Sequence, residues 1–403
     1  MEKNNEVKGF LALTIAVGFA YAAFGAITNV AGAIIPKIRD TYEVSATLSS
    51  ILAATFFIAY GLTSIPWGMY MEKSSKKTTL IASSIITTLG VAVFAIIPGF
   101  VPNMVAMFLC GVGITGIQVA LNPLVSEISD PAKYSRNLTA FMVINGLGSY
   151  AAPQLVTLIK NMGFEWQVTY LVFTVIAIIM TAAVAFPQYP SAQAASTEKK
   201  EENLTVDMLT SKPMIYLYAL GIFLYVGVEV GVANTIGFYL EDKLHITEAL
   251  GDAAEAAKNT AISNYWGGLL LGRLLGSFVL DRVAGKYAIM AYISLAAIAL
   301  YMAITGDLNQ ALWAFPAIGF FISIMFPTIY STCTNAFEAR YSSAISGILC
   351  TAIIGGAVIG PVIAQVAEAS AKDGVANWDT GLLVAFACYA YIFVVGLLSK
   401  ADK

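Results

Sequence analysis

The sequence predicts an all-α, polytopic membrane protein with twelve transmembrane helices in two pseudo-symmetric six-helix bundles. Three observations predict it. Hydrophobic residues make up 58% of the 403 and charged residues only 12%, with a mean hydropathy of +0.75, which leaves too little polar surface to cover a soluble globule. Apolar runs near the ~20 residues needed to cross a bilayer recur twelve times along the chain. The one long interior polar stretch, Gln188 to Lys212, contains Ser196-Thr-Glu-Lys-Lys-Glu-Glu202 and falls after the sixth run.

The predicted spans lie at approximately 9–36, 45–71, 78–98, 102–126, 136–160, 165–187, 213–240, 260–281, 286–304, 309–332, 341–367 and 378–398. They divide the chain into an N-terminal bundle (1–187), a linker (188–212) and a C-terminal bundle (213–403). Of the 22 Lys and Arg, fifteen fall in segments on the side of the two termini and six on the other side: Lys37, Arg39, Lys160, Lys243, Lys258 and Lys372. Arg273 lies within a span. This bias places both termini and the linker in the cytoplasm, in a multi-pass protein of the cytoplasmic (inner) membrane. The first run follows Met1-Glu-Lys closely and has no small-residue cleavage site before a polar start, so it reads as a retained helix. Cys110, Cys333, Cys350 and Cys388 all sit in apolar runs without metal-type spacing, as buried small hydrophobes do.

Polar side chains inside spans are costly in hydrocarbon and point to partner helices or a wet cavity. Gly113-Ile-Thr-Gly-Ile-Gln-Val-Ala-Leu-Asn-Pro-Leu124 carries Gln118 and Asn122 four residues apart, hence on one helix face. Asn29, Asn145, Asn234 and Asn264 extend the set over five spans, with Asn335 near the end of the tenth. Amides donate and accept, which suits hydroxylated ligands, and Phe24, Tyr150, Tyr225, Phe238, Tyr265, Trp266 and Phe326 offer flat faces for a sugar ring. Any one amide is equally an interhelical hydrogen bond and any one aromatic a packing residue, but the amides together favour a polar cavity. Glu229, in Tyr225-Val-Gly-Val-Glu229, is the one carboxylate placed deep in the bilayer. It reads as a structural acid or a solute contact ahead of a proton or cation site. Arg273 lies about two turns before Asp281 and is expected to snorkel toward the cytoplasm and pair near a gate. Span eleven, from Ser346 to Gly356 and on to Gly360-Pro361, suits either a moving helix or close packing.

Gly68-Met-Tyr-Met-Glu72-Lys73-Ser-Ser-Lys76-Lys77 follows span two, and Asp281-Arg282-Val-Ala-Gly285-Lys286 follows span eight. Each places an acid, a base and a further base in matching cytoplasmic loops. The expected gating residues are Gly68, Glu72, Lys73, Lys77, Arg273, Asp281 and Arg282. Glu127 and Asp130 beside Lys133 and Arg136 read as an interfacial cluster or a helix cap. The lone histidine, His245, stands in a polar loop without a nucleophile partner, and no phosphate-binding Gly-Lys-Ser/Thr loop occurs. A membrane enzyme, a metal site and an ATP-driven pump are therefore disfavoured.

Six plus six spans with this loop in both halves resemble the major facilitator superfamily, with Glu72 where Asp is usual and Ser75 where Gly is usual. Further stretches resemble its fucose/galactose/glucose:proton symporter family, most closely the bacterial glucose/galactose branch. They are Ile117 to Leu124, Arg136-Asn-Leu138 with Asn145, Phe223-Leu-Tyr-Val-Gly-Val-Glu-Val230, Ile318 to Tyr330, and Ser346 to Ala357. The resemblance implies alternating access, with Asn29, Gln118, Asn122, Asn145 and Glu229 in the cavity. Three departures stand out. Gly32 aligns with an embedded Asp of the fucose members, Gln118 with their span-four Glu, and Met142 with a span-five Gln of sugar transporters; Gln118 itself is shared with hexose members.

The expectation is a secondary transporter of a small polar solute, with a hexose or related sugar first. Since Gln118 has no proton to exchange, Na⁺ symport or uniport is favoured over proton symport. A non-sugar organic solute or acid and a transporter-like nutrient sensor are the alternatives. The solute-binding set is Asn29, Gln118, Asn122, Asn145, Glu229, Asn234 and Asn264. No cofactor is expected beyond a coupling ion, Na⁺ or H⁺. Lipid is the surrounding partner, nucleic acid is not one, and the monomer is expected to function.

Overall fold

The computed structural model describes residues 2–128, 134–189, 204–280, 282–338 and 342–399. Helices dominate the described residues, which contain no strand beyond the isolated bridge of Lys372 with Val375. Among the described residues, eleven helical stretches are long and apolar enough to cross a membrane. The remaining predicted span, 260–281, coincides up to Leu280 with a 27-residue helix, Ala254–Leu280, whose sequence carries Glu255, Lys258 and Arg273.

The chain forms two compact units, residues 1–30 with 58–199 and residues 31–57 with 200–403. The break falls at a turn residue, Val30, within one long apolar stretch, Leu11–Tyr42.

In the first unit lie α1 (Glu2–Asn29), most of α3 (Ala46–Lys73), α4 (Lys76–Ile96), α5 (Phe100–Glu127), α6 (Tyr134–Asn161) and α7 (Val168–Ala185). With lipid on the outside there is little hydrophobic drive between helices, so small residues and close approach hold the seams. At Gly113 of α5 an added Cβ would lie 2.2 Å from Thr87 Oγ1 of α4, and at Gly116 it would lie 2.6 Å from both Ser83 Cβ and the Trp67 ring. The buried hydroxyls on this face of α4 are satisfied along their own helix: Ser83 donates to Thr79 O at 2.6 Å and Thr87 to Ser83 O at 3.0 Å. The seam of α1 with α6 is tighter still, since a Cβ at Gly25 would meet Asn145 O at 2.0 Å and one at Gly148 would meet Ala22 O at 2.1 Å. Backbone cannot yield by such distances, so Gly148→Leu is expected to lower the melting temperature of the purified protein, with Leu147→Ala, at an exposed neighbour, as the near-neutral control.

In the second unit lie α2 (Ala31–Tyr42), the start of α3, α8 (Leu204–Ser211), α9 (Met214–Phe238) with a π turn at Tyr239–Lys243, α10 (Ile246–Leu250), α11 (Ala254–Leu280), α12 (Gly285–Thr305), α13 (Leu308–Ile322), α14 (Met325–Ala336), α15 (Ser342–Thr351), α16 (Ile359–Ala369) and α17 (Trp378–Leu398). Of the glycines of span eleven, Gly355 and Gly356 fall in a 3-10 segment, Ala352–Ala357, between α15, which holds Gly347, and α16, which holds Gly360. A Cβ at Gly355 would lie 1.9 Å from Phe223 O, and one at Gly227 would lie 2.2 Å from Ile359 Cγ1. Close packing on α9 therefore accounts for Gly355 directly, whereas Gly347 faces open space.

Candidate functional site

In the first unit Asn29 and Asn145 come together across the α1–α6 seam. Asn29 Nδ2 donates to Ser149 Oγ at 2.8 Å and to Gly25 O at 3.1 Å. Asn145 Nδ2 donates to Tyr21 O at 3.1 Å, and Ser149 Oγ donates to Asn145 O at 3.1 Å. The amide donors thus serve the interhelical seam, while both side chains keep part of their surface accessible. Ser149 is an addition to the sequence-predicted set; its signal is its position four residues after Asn145, on the same face. Gln118 of α5 differs from both. Its side chain is half-buried among Ile117 and Leu121, which are fully buried, and it has no hydrogen-bond partner among the described residues. The side chain of Asn122 lies outside the described set.

In the second unit α9 and α11 bring Glu229 to Arg273. Arg273 Nη2 donates to Glu229 Oε1 at 3.3 Å, with the two side chains only 22% and 12% exposed. Arg273 therefore reaches across to Glu229, while Asp281, the partner expected from sequence spacing, lies outside the described residues. The physical reason is the buried carboxylate one helix away, which offers the guanidinium a charge-assisted hydrogen bond in a medium where few others exist. Tyr265 Oη donates to Glu229 O at 2.8 Å, fixing α11 on α9 at this level. Tyr225, one turn before Glu229, is 1% exposed; its hydroxyl faces the Glu229–Arg273 pair without closing a hydrogen bond of good geometry among the described residues. Its ring lies 6.5 Å from that of Phe326, which stacks on Tyr330 at 6.1 Å. Asn234 is 8% exposed and Asn264 half-buried; no hydrogen bond joins either of them to Glu229 or to each other.

Among the expected gating residues, Lys77 Nζ donates to Pro187 O at 3.0 Å, just beyond the C-terminus of α7, and lies 5.4 Å from the Tyr189 ring centre. A cation beyond a helix C-terminus meets the negative end of its dipole. Gly68 faces open space, with nothing within 4 Å of an added Cβ. Arg282 is exposed. The side chains of Glu72 and Lys73 and all of Asp281 lie outside the described residues, as do the side chains of Glu127 and Arg136 and all of Asp130 and Lys133.

The family description Major Facilitator Superfamily matches residues 17–361. A glucose/galactose transporter of Brucella abortus is 31% identical over 94% of this chain and 91% of its own length. The chain belongs to the major facilitator superfamily. Within the superfamily it falls in the fucose/galactose/glucose:proton symporter family. A putative glucose/galactose transporter of Helicobacter pylori is 29% identical over 95% of this chain and 96% of its own. The L-fucose-proton symporter of Escherichia coli K12 is 22% identical over 95% and 91%. Among solved structures, the superfamily transporter FucP in the outward conformation matches with a TM-score of 0.69 at 18% identity, covering 98% of this chain and 100% of that one. The nucleoside transporter NupG matches at 0.75 and 13%, covering 97% and 100%. These two show the twelve-helix superfamily fold.

The structure also bears on the first departure from the fucose members. A Cβ at Gly32 would lie 2.8 Å from Ala233 O and 3.3 Å from Ile262 Cγ2. A side chain at Gly32, where the resemblance to the fucose members implies an Asp, has no room in this arrangement, because α9 and α11 occupy it.

Proposed function

We propose that the protein is a secondary transporter that carries a small polar solute, a hexose or a related sugar, across the cytoplasmic membrane by alternating access. The observation that carries this reading is the end-to-end similarity to glucose/galactose transporters, 31% over 94% of the chain. The polar side chains held inside spans agree with it. Gln118 offers an amide that no described residue engages, and Asn29 and Asn145 keep carbonyl oxygens beyond their seam bonds. Amide groups match neutral hydroxyls, which need donors and acceptors together. An organic anion is less well served, since the one guanidinium deep in a span is already neutralised by Glu229.

Coupling follows from the same residues. Gln118 does not titrate and Gly32 supplies no side chain, so the two positions where fucose members carry acids hold no proton carrier. Uniport or Na⁺ symport is the mode this set of residues favours. Both termini are read as cytoplasmic from the distribution of Lys and Arg, and a single chain as the working unit. Asn29, Gln118, Asn122, Asn145, Glu229, Asn234 and Asn264 remain the proposed solute-binding set, and Gly68, Glu72, Lys73, Lys77, Arg273, Asp281 and Arg282 the gating set.

Counterflow tests the reading. Proteoliposomes loaded with unlabelled glucose or galactose are expected to take up the labelled sugar transiently and saturably. Saturable sugar binding without exchange would favour the sensor, and stabilisation of the purified protein only by an organic acid would favour the non-sugar solute.

A further inference from the structure

Lys37, Arg39, Lys243 and Lys258, four of the cations on the side away from the termini, all sit in ion pairs of the second unit. Arg39 is the most elaborately held. Its Nη1 donates to Asp242 Oδ2 at 3.1 Å and Oδ1 at 3.3 Å, and its Nε to Asp40 Oδ1 at 3.0 Å. The guanidinium carbon stands 4.8 Å from the centre of the Phe238 ring. Phe238 stacks on Trp378 with centroids 5.2 Å apart and planes 4° from parallel. Trp378 Nε1 closes the circuit by donating to Asp242 Oδ2 at 2.9 Å. Two further contacts flank it: Lys37 Nζ with Glu255 Oε1 at 2.6 Å, and Thr47, whose N–H donates to Glu368 Oε1 at 3.1 Å and whose hydroxyl donates to the other carboxylate oxygen.

Arg39, Lys37 and Thr47 all lie in residues 31–57. That segment packs in the second unit, although covalently it joins the first unit at Val30–Ala31 and again at Phe57–Ile58. Beneath Arg39, Ile34, Ile35 and Ile38 are at most 1% exposed. A buried ion pair is a poor way to build a permanent core, because apolar groups of similar volume do as well or better. It suits a contact that must part, because Arg39 and Asp242, 23% and 17% exposed here, regain water when separated.

We propose that Arg39, boxed by Asp242, Phe238 and Trp378, is the latch that holds residues 31–57 in the second unit, and that its release opens this end of the transporter. The inference rests on the alternating-access reading above, since only a chain that changes access needs the segment to leave. The planar guanidinium is required. Lysine keeps the charge but loses the two-point contact with Asp242 and much of the ring contact.

The test places a cysteine at Ile38 in a chain whose four native cysteines are replaced by serine or alanine, and measures its labelling by a maleimide in detergent. A cysteine at Val395, buried in α17, serves as the control. Both Arg39→Ala and Arg39→Lys are expected to raise the Ile38-site labelling rate on the order of tenfold, as loss of a partly buried ion pair and a cation–π contact implies, while the Val395 site stays protected. An unchanged Ile38-site rate overturns the latch. Loss of protection at both sites in both variants also overturns it, because the cluster is then a folding contact. The readout needs no sugar, so its failure and a failure of counterflow are separate results.

Discussion

Replacing Arg273 with alanine is expected to destabilise the protein by about 3–5 kcal/mol and to abolish solute exchange, because it leaves the Glu229 carboxylate buried without its counter-charge. The pair spans α9 and α11, with Tyr265 holding the α9 backbone at the same level, so the loss falls where two helices of the second unit are joined. Glu229→Gln removes the other partner and strands a guanidinium. It is expected to cost a similar amount, since either charge alone is the expensive state. The joint replacement Glu229→Gln with Arg273→Met is the informative control. Thermal unfolding of the joint variant is expected to return most of the way to the parent, whereas exchange stays lost if Glu229 contacts solute. Joint variants that exchange at the parental rate would make the pair purely structural. Single variants as stable as the parent would show that the pair contributes little to folding.

The comparison of sequence with structure is most instructive at charged and polar positions. The spans are legible because hydrocarbon demands long apolar helices, and eleven of the twelve expected runs correspond to such helices among the described residues. Glu229 is legible as a buried acid for the same reason. Its partner is not, because Arg273 has a sequence neighbour, Asp281, two turns away, and sequence spacing carries no record of which helix packs alongside. The amides divide in a way no sequence shows. Asn29 and Asn145 spend donors on the α1–α6 seam, whereas Gln118 does not, and the difference rests on whether a backbone carbonyl or hydroxyl of a neighbouring helix lies within 3.1 Å. The Arg39 cluster does carry a sequence signal. By the sequence reading Lys37, Arg39, Lys243 and Lys258 fall on the side where positive charge is scarce, and each is paired with a carboxylate from elsewhere in the chain. A cation that departs from the positive-inside bias is worth asking for a partner. The glycines of span eleven show the converse limit. Mobility and close packing predict the same residues, and the contact of Gly355 with Phe223 shows the packing in one conformation while a second conformation is what would separate the two.

The coupling mode has the largest functional consequence. The resemblance to the fucose members implies two embedded acids as the groups that would carry the proton. Here Gln118 provides none, and at Gly32 the backbone of Ala233 fills the space an acid would need. Glu229 remains, but it is held by Arg273, and protonating it would forfeit the pair. On the proposed reading a proton gradient is therefore not expected to drive uptake. The direct measurement is uptake of labelled glucose or galactose into proteoliposomes under a pH gradient alone and under a Na⁺ gradient alone. The sugar is expected to enter saturably in both cases, to reach no more than equilibrium under the pH gradient, and to exceed equilibrium, if at all, only with Na⁺. Uphill accumulation driven by the pH gradient alone, with Gln118 intact, would contradict the account.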